Sequence, residues 1–465
     1  MLVSSADVTP NSSSHSGAPG PGDAWRLRFW AVFAGQGSSL VGSAMTQFVL
    51  LWWIADTTGS VSALATAGIF ALLPQALLGP LGGTLADRYS RRLLMIVPDL
   101  VSALCMVVLI ALFLADGVEL WHLYGMMFVR SAMQAFQAPA AAATTAMLVP
   151  PNFLPRAAGL NQTLAGIATV AAAPLGALAI ALMPIGWALA IDVVTALLAV
   201  VPLLVFAIPQ PEVPRERREG LWREFEEGVR VVWGSPGLLR LYGLLAAVTL
   251  VVVPSFALVP LLVKAHFGGG AAEVALVEGL GGAGMIVGGL VVAALAPTRR
   301  ILWVVLGFAA SCLTLALVAL APADMLWLAV AWWTLGCVGF VMGNAPLMTI
   351  VQTTVPNRLQ GRVLSLLNTV MALAAPVGLA LATPLGEAIG VRWLFVAVGV
   401  AGCLVSLLGL LSPKLLRIES ADPAGIAPPP ARQTPSERRV PDVGEPVRVP
   451  VPSGRHVSTL EGSAR

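Results

Sequence analysis

Twelve apolar runs, each long enough to cross a lipid bilayer, occupy most of this chain of 465 residues. They fall at about 29–54, 62–86, 93–115, 121–149, 157–183, 187–208, 239–264, 274–296, 301–321, 326–354, 362–386 and 392–412. A helix needs about 20 apolar residues to span the hydrocarbon core. The runs therefore predict an all-α membrane protein with twelve transmembrane helices. Only 11% of the residues are charged, under half the roughly 25% of an average soluble domain, so a soluble enzyme is excluded.

The 27 Lys and Arg and 24 Asp and Glu are concentrated outside the runs. Residues 1–28 hold 4 of them, 209–240 hold 12 and 413–465 hold 14. The signs are mixed in each segment, unlike a nucleic-acid-binding surface. The Ser/Gly/Pro-rich stretch 1–26 lacks the apolar core of a signal peptide and is expected to be a disordered cytoplasmic tail. The Pro-rich segment 413–465 is expected to be a second one. Between six spans (27–208) and six more (239–412), the segment 209–238 places Trp222, Phe225, Val229 and Val232 at helical spacing. That predicts an amphipathic helix on the membrane surface.

Lysine and arginine in short loops set orientation. Loops on one side carry Arg88, Arg91, Arg92, Arg156, Arg299, Arg300, Arg358 and Arg362, whereas the other side has only Lys264 and Arg392. The arginine-rich side, both termini and the central segment are thus expected in the cytoplasm. Cys105, Cys312, Cys337 and Cys403 lie within apolar runs, and no metal-ligand spacing of His or Cys occurs. Neither Lys264 nor Lys414 belongs to a phosphate-binding GxxxxGK loop, so no ATP hydrolysis, cofactor or metal is expected.

The halves repeat with an offset near 205. Ala173-Pro174-Leu175-Gly176 matches Ala375-Pro376-Val377-Gly378, Val149-Pro150 matches Val355-Pro356, and Gly79-xxx-Gly83 matches Gly284-xxx-Gly288. Two related six-helix units with a substrate site between them are the layout of alternating-access transporters.

Spans two and three are joined by Gly83-Thr84-Leu85-Ala86-Asp87-Arg88-Tyr89-Ser90-Arg91-Arg92. This run resembles the signature loop of the major facilitator superfamily, with Ser90 where the family commonly has glycine. Arg130-Ser131-Ala132-Met133-Gln134-Ala135-Phe136-Gln137-Ala138-Pro139-Ala140 and Leu359-Gln360-Gly361-Arg362-Val363 resemble its drug:proton antiporter branch, which includes macrolide efflux proteins and the enterobactin exporter. The resemblance covers about 27–412 and implies a proton-driven exporter. It also implies that Asp87 meets the start of the eleventh helix near Gly361 and Arg362, latching a cytoplasmic gate, with Arg88, Arg91 and Arg92 as latch partners. Arg130 resembles the arginine tied to proton coupling in the fourth span, although Gln134 is displaced by one position. The fifth-span antiporter motif is altered, and the first span lacks an acid.

Four ionisable residues lie inside the runs: Asp99, Arg130, Asp192 and Glu278. Such residues pair or serve function, so these are the candidates for proton coupling or a cavity role. Arg130 either faces a cavity or forms a structural ion pair. Asp99 either pairs with the loop arginines or carries protons. Asp192 and Glu278, toward the outer ends of spans six and eight, are expected to reach interfacial water. Gln36, Gln134, Gln137, Asn161 and Asn344 are candidates to line the substrate cavity. Few polar groups in an apolar cavity suit an amphipathic organic molecule. The expected protein is a monomeric exporter of such molecules, coupled to protons, in a bacterial cytoplasmic membrane. The alternatives are export of a siderophore or an endogenous metabolite, or a transporter-like sensor or scramblase without proton coupling.

Overall fold

The computed structural model describes residues 25–206, 229–355 and 357–416. Each apolar run is a helix: α1 Trp25–Thr58, α2 Val61–Arg88, α3 Arg91–Leu114, α4 Leu120–Leu148, α5 Leu154–Leu182 and α6 Ile185–Val205. Then come α7 Pro236–Phe267, α8 Ala271–Leu295, α9 Arg300–Leu320 and α10 Leu326–Thr354. The helical stretch Asn357–Leu408 is broken at Gly390, whose φ of 81° is left-handed, giving α11 at 357–389 and α12 at 391–408.

Local chemistry sets several of these ends. The Ser60 hydroxyl accepts from the Ala63 N–H to start α2. Glu273 accepts from the Gly270 N–H at 2.7 Å to start α8, and Gly268 closes α7 with φ 66°. Among the described residues every long helix but α4 contains a window apolar enough to cross a membrane, with α11 and α12 counted together as the stretch Val363–Leu411. The exception carries His122, Arg130, Gln134 and Gln137.

Glycines let helices approach backbone to backbone. A Cβ on Gly82 of α2 would collide with the Ala135 carbonyl of α4. In the other half, a Cβ on Gly284 of α8 would lie 2.5 Å from the Thr334 carbonyl oxygen of α10. Of the GxxxG pair expected in α2, Gly79 meets open space and the surroundings of Gly83 lie outside the described residues; a close approach is seen at Gly82. The repeat is also visible in packing. Gly176 of α5 lies against Met45 and Phe48 of α1, and Gly378 of α11 lies against Leu250 and Pro254 of α7.

The two six-helix bundles share one apolar core at the end that carries the α1–α2 and α7–α8 turns. There Val49, Leu50 and Leu64 join Leu258, Leu261, Val274 and Phe395. Across the bundles Leu379 meets Gly68, Val61 meets Gly386, and Pro174 meets Gly279. At the arginine-rich end the described cores stay separate. One contains Met95, Leu148 and Leu203, the other Leu241, Phe308, Ile350 and Val363.

Residues 207–228 lie outside the described part of the chain, and with them most of the expected amphipathic helix; its last turn buries Val231 and Val232 in the second bundle's core. Both expected tails also lie outside it, apart from the stretches that begin α1 and end at Leu416.

Candidate functional site

Close packing of α1 on α6 builds the site. Gly35 lies against the Leu198 carbonyl, and Gly42 lies against the Thr195 side chain. Small residues at such a seam allow helices to approach until side chains can bond across it. Ser43 of α1 therefore donates to Asp192 Oδ1 on α6 at 3.0 Å. Arg130 of α4 reaches the other carboxylate oxygen, with Nη1 3.0 Å from Oδ2.

The Arg130 and Asp192 side chains are 16% and 6% exposed, so neither reaches interfacial water. Asp192 is held inward by its two partners, contrary to the expectation of snorkelling. Ser43 was not singled out from the sequence, although it lies seven residues, two helical turns, after Gln36 and so shares its face.

A second group lies nearer the arginine-rich end. Asp99 of α3 accepts from Gln137 Nε2 of α4 at 2.6 Å and from Gln36 Nε2 of α1 at 3.4 Å. Gln137 also donates to Gln36 Oε1 at 3.3 Å. Asp99 is thus engaged by two amides, while Arg92 donates to the Leu204 carbonyl of α6 at 2.7 Å. Arg91 donates to Met147 Sδ at 2.6 Å and to the Ala143 carbonyl at 3.4 Å on α4. Guanidinium groups near the last carbonyls of α4 and α6 are favourably placed for the helix dipoles.

Both groups line one cavity of about 290 Å³ within the first bundle, walled by α1, α3, α4, α5 and α6. Gln134 and Asn161 line it too, with Phe29, Phe33 and Leu164 as apolar wall. The cavity joins Gln36, Asp99, Arg130, Gln134, Gln137, Asn161 and Asp192, which the sequence marked separately. Arginine and two carboxyls in a membrane-embedded pocket, fixed by amides and a hydroxyl, can hold and relay a proton or orient the polar end of a ligand.

Two candidates lie apart. Asn344 is on α10, with a buried Oδ1 that has no hydrogen-bond partner. Glu278 is a half-buried residue on α8, two turns past its start. The side chains of Asp87, Arg88 and Arg362, and the surroundings of Gly83 and Gly361, lie outside the described residues. No cluster of His, Cys, Asp and Glu suited to a metal occurs among the described residues. At the sealed end, Lys264 of α7 reaches Asp56 of α1, Nζ to Oδ1 2.7 Å, tying one bundle to the other; neither residue stood out in the sequence except as a loop charge.

The family profile described as Major Facilitator Superfamily matches residues 32–379. Macrolide efflux protein A of Streptococcus pyogenes is 29% identical over 406 residues, which are 86% of this chain and 98% of that protein. Its namesake from Enterococcus faecalis is 30% identical over 67% of this chain and 97% of its own length. Among solved structures, a bacterial homologue of the human lysosomal transporter Spinster, in an inward-facing and unoccupied conformation, aligns with TM-score 0.60 and 15% identity. That alignment covers 88% of this chain and 95% of that one. The nucleoside transporter NupG aligns with TM-score 0.64 and 10% identity over 83% and 98%.

Proposed function

The chain belongs to the major facilitator superfamily, and from that premise we propose that this multi-pass membrane transporter exports amphipathic small molecules in exchange for protons. The observation that carries the reading is the cavity in the first bundle. Its wall is largely apolar, and its polar groups are the Arg130–Asp192–Ser43 and Asp99–Gln36–Gln137 networks. An apolar chamber with a few converging polar groups suits a molecule with a large hydrophobic body and a small polar part. Asp99 is the proton carrier in this reading, because amides can follow either of its protonation states by rotating donor for acceptor. Arg130 holds Asp192 in place beside it, Nη1 to Oδ2 3.0 Å. The macrolide efflux relatives favour an organic substrate over an inorganic ion.

With the arginine-rich loops in the cytoplasm, the shared core lies at the external face, and the bundles part toward the cell interior. Substrate then enters from the cytoplasm or inner leaflet, and rocking of the bundles releases it outside. Asp87, Arg88, Gly361 and Arg362 are the proposed cytoplasmic latch of the opposite conformer, and both termini are cytoplasmic. The cell membrane of a bacterium is the proposed location.

Flux in proteoliposomes with an imposed pH gradient tests the reading. Uphill transport of a lipophilic dye should follow the gradient and collapse with a protonophore. Flux indifferent to the gradient rejects proton exchange, and absence of flux across a chemically varied panel rejects export.

A further inference from the structure

The three ionisable side chains of the first bundle's cavity are all engaged: Asp192 by Arg130 and Ser43, and Asp99 by two glutamine amides. Glu278 alone among the four intramembrane candidates makes no hydrogen bond or ion pair among the described residues. Its direction follows from its neighbours on α8. Gly281, Gly284 and Gly288 face α10, and Gly279 and Gly282 face Pro174 and Val170 of α5 in the other bundle. Ile286, Val287 and Leu290 are half or more exposed and mark the lipid side. At 3.6 residues per turn, Glu278 projects between the α10-facing and α5-facing rows, away from lipid and into the protein. The expectation that it snorkels to the interface is not met.

A second orphan sits one turn away. Trp333 of α10 is 4% exposed, and its Nε1 has no hydrogen-bond acceptor. That nitrogen points at α8, lying 2.5 Å from where a Cβ on Gly281 would be. The Trp333 ring packs edge to face on Phe256 of α7, with centroids 5.0 Å apart. A carboxyl and, one helical turn along α8 at Gly281, an indole N–H without an acceptor and its aromatic partner thus lie on neighbouring turns close to where the two bundles join. Buried polar groups are ordinarily paired, and carboxyls kept unpaired in membrane helices mark ligand or ion sites. Aromatic faces beside an acid select cations carrying apolar substituents.

We propose that Glu278, Trp333 and Phe256 form a second-bundle subsite for the cationic nitrogen of an amphipathic substrate. On cation binding Glu278 supplies the counter-charge, the rings pack on the groups around the nitrogen, and the Trp333 N–H, which has no acceptor in this conformer, turns to donate to the carboxylate. The subsite rests on the exporter reading above and adds a preference within it, for lipophilic cations over neutral molecules of similar size. Gly279 and Gly282, beside Glu278 on α8, pack on Pro174 and Val170, so cation binding bears on the seam between α5 and α8 that must move during transport.

The test uses the full chain in lipid nanodiscs, with empty discs subtracted. Its probes are the lipophilic cation rhodamine 6G and the uncharged dye Nile red, read by fluorescence anisotropy. Glu278→Gln should weaken rhodamine 6G binding about tenfold or more and alter Nile red binding less than about twofold. Glu278→Asp should recover part of the loss. Trp333→Phe, which keeps a ring and removes the N–H, should weaken the cation less than Glu278→Gln does. The proposal is overturned if wild type fails to bind rhodamine 6G or if Glu278→Gln binds it as wild type does. It is also overturned if both dyes weaken in parallel while thermal unfolding is unchanged, because Glu278 then acts on every ligand alike. Dye flux in proteoliposomes separates this from the parent reading: a wild type that binds the cation without moving it fails as an exporter and keeps the subsite.

Discussion

Removing one partner of the Arg130–Asp192 pair should unbalance the first bundle in a way that depends on which partner goes. At 3.0 Å and an effective dielectric of about 20, the Coulomb attraction is about 5 kcal/mol, much of it offset by desolvation of both groups. Truncating one member of a buried pair costs about 3–5 kcal/mol because the survivor is left uncompensated. The survivors differ. After Arg130→Ala, Asp192 retains the Ser43 hydroxyl as a hydrogen-bond donor. After Asp192→Ala the guanidinium cannot shed its charge. Unfolding in mixed micelles, followed by tryptophan fluorescence, should therefore rank Asp192→Ala as the more damaging, near the upper end of that range. Arg130→Ala should fall nearer the lower end. The double variant should lose less than the sum of the singles by more than about 1 kcal/mol. A coupling under about 0.5 kcal/mol, or the reverse ranking of the singles, would refute the reasoning. If the double variant also moves dye as wild type does, the pair serves architecture alone.

Asp99→Asn should leave the fold intact, since both amide partners can reorient, and should make dye efflux insensitive to the pH gradient while downhill exchange persists; gradient-driven efflux at the wild-type rate would remove Asp99 from the coupling path. Reversing one charge of the tie at the sealed end, as in Lys264→Glu, should favour opening of that end, read as faster labelling of a cysteine at a sealed-core position. Because the tie is exposed and worth about 1 kcal/mol or less, the change should not exceed roughly fivefold. Gly284→Ala drives a methyl to 2.5 Å from the Thr334 carbonyl oxygen, whereas Gly289 has open space around it. The first substitution should lower stability by about 1–3 kcal/mol and Gly289→Ala should not, and equal melting of the two variants would show that α8 and α10 can separate freely.

The fold was legible because its determinants are local. Length and apolarity define a span, arginines mark one side, and a glycine or serine ends a helix, each within a few neighbouring residues. What the sequence did not contain was the rotation of each helix about its axis. Asp192 lies two turns into α6, where interfacial water is close, yet α6 turns that face toward α4 and the carboxylate meets Arg130, 62 positions away. Asp99 stands eight residues from Arg91, yet the arginine turns to α4 and the acid to Gln36 and Gln137. Polarity inside a span showed that these residues had partners; only packing selected which. Glu278 is the converse, a residue whose position suggested an easy escape to water and whose helix face denies it.

The contacts that seal the end carrying the α1–α2 and α7–α8 turns have a kinetic side. Several place a side chain of one bundle on a glycine of the other: Leu379 on Gly68, Pro174 on Gly279, Val170 on Gly282 and Val61 on Gly386. Interlocked ridges must climb over one another to slide, as helix packing in cores ordinarily requires. A knob resting on a flat glycine surface meets no such ridge and can travel along it while still excluding water. Under the proposed rocking of the bundles, the seam would work as a bearing as well as a seal, with the same four glycines keeping friction low.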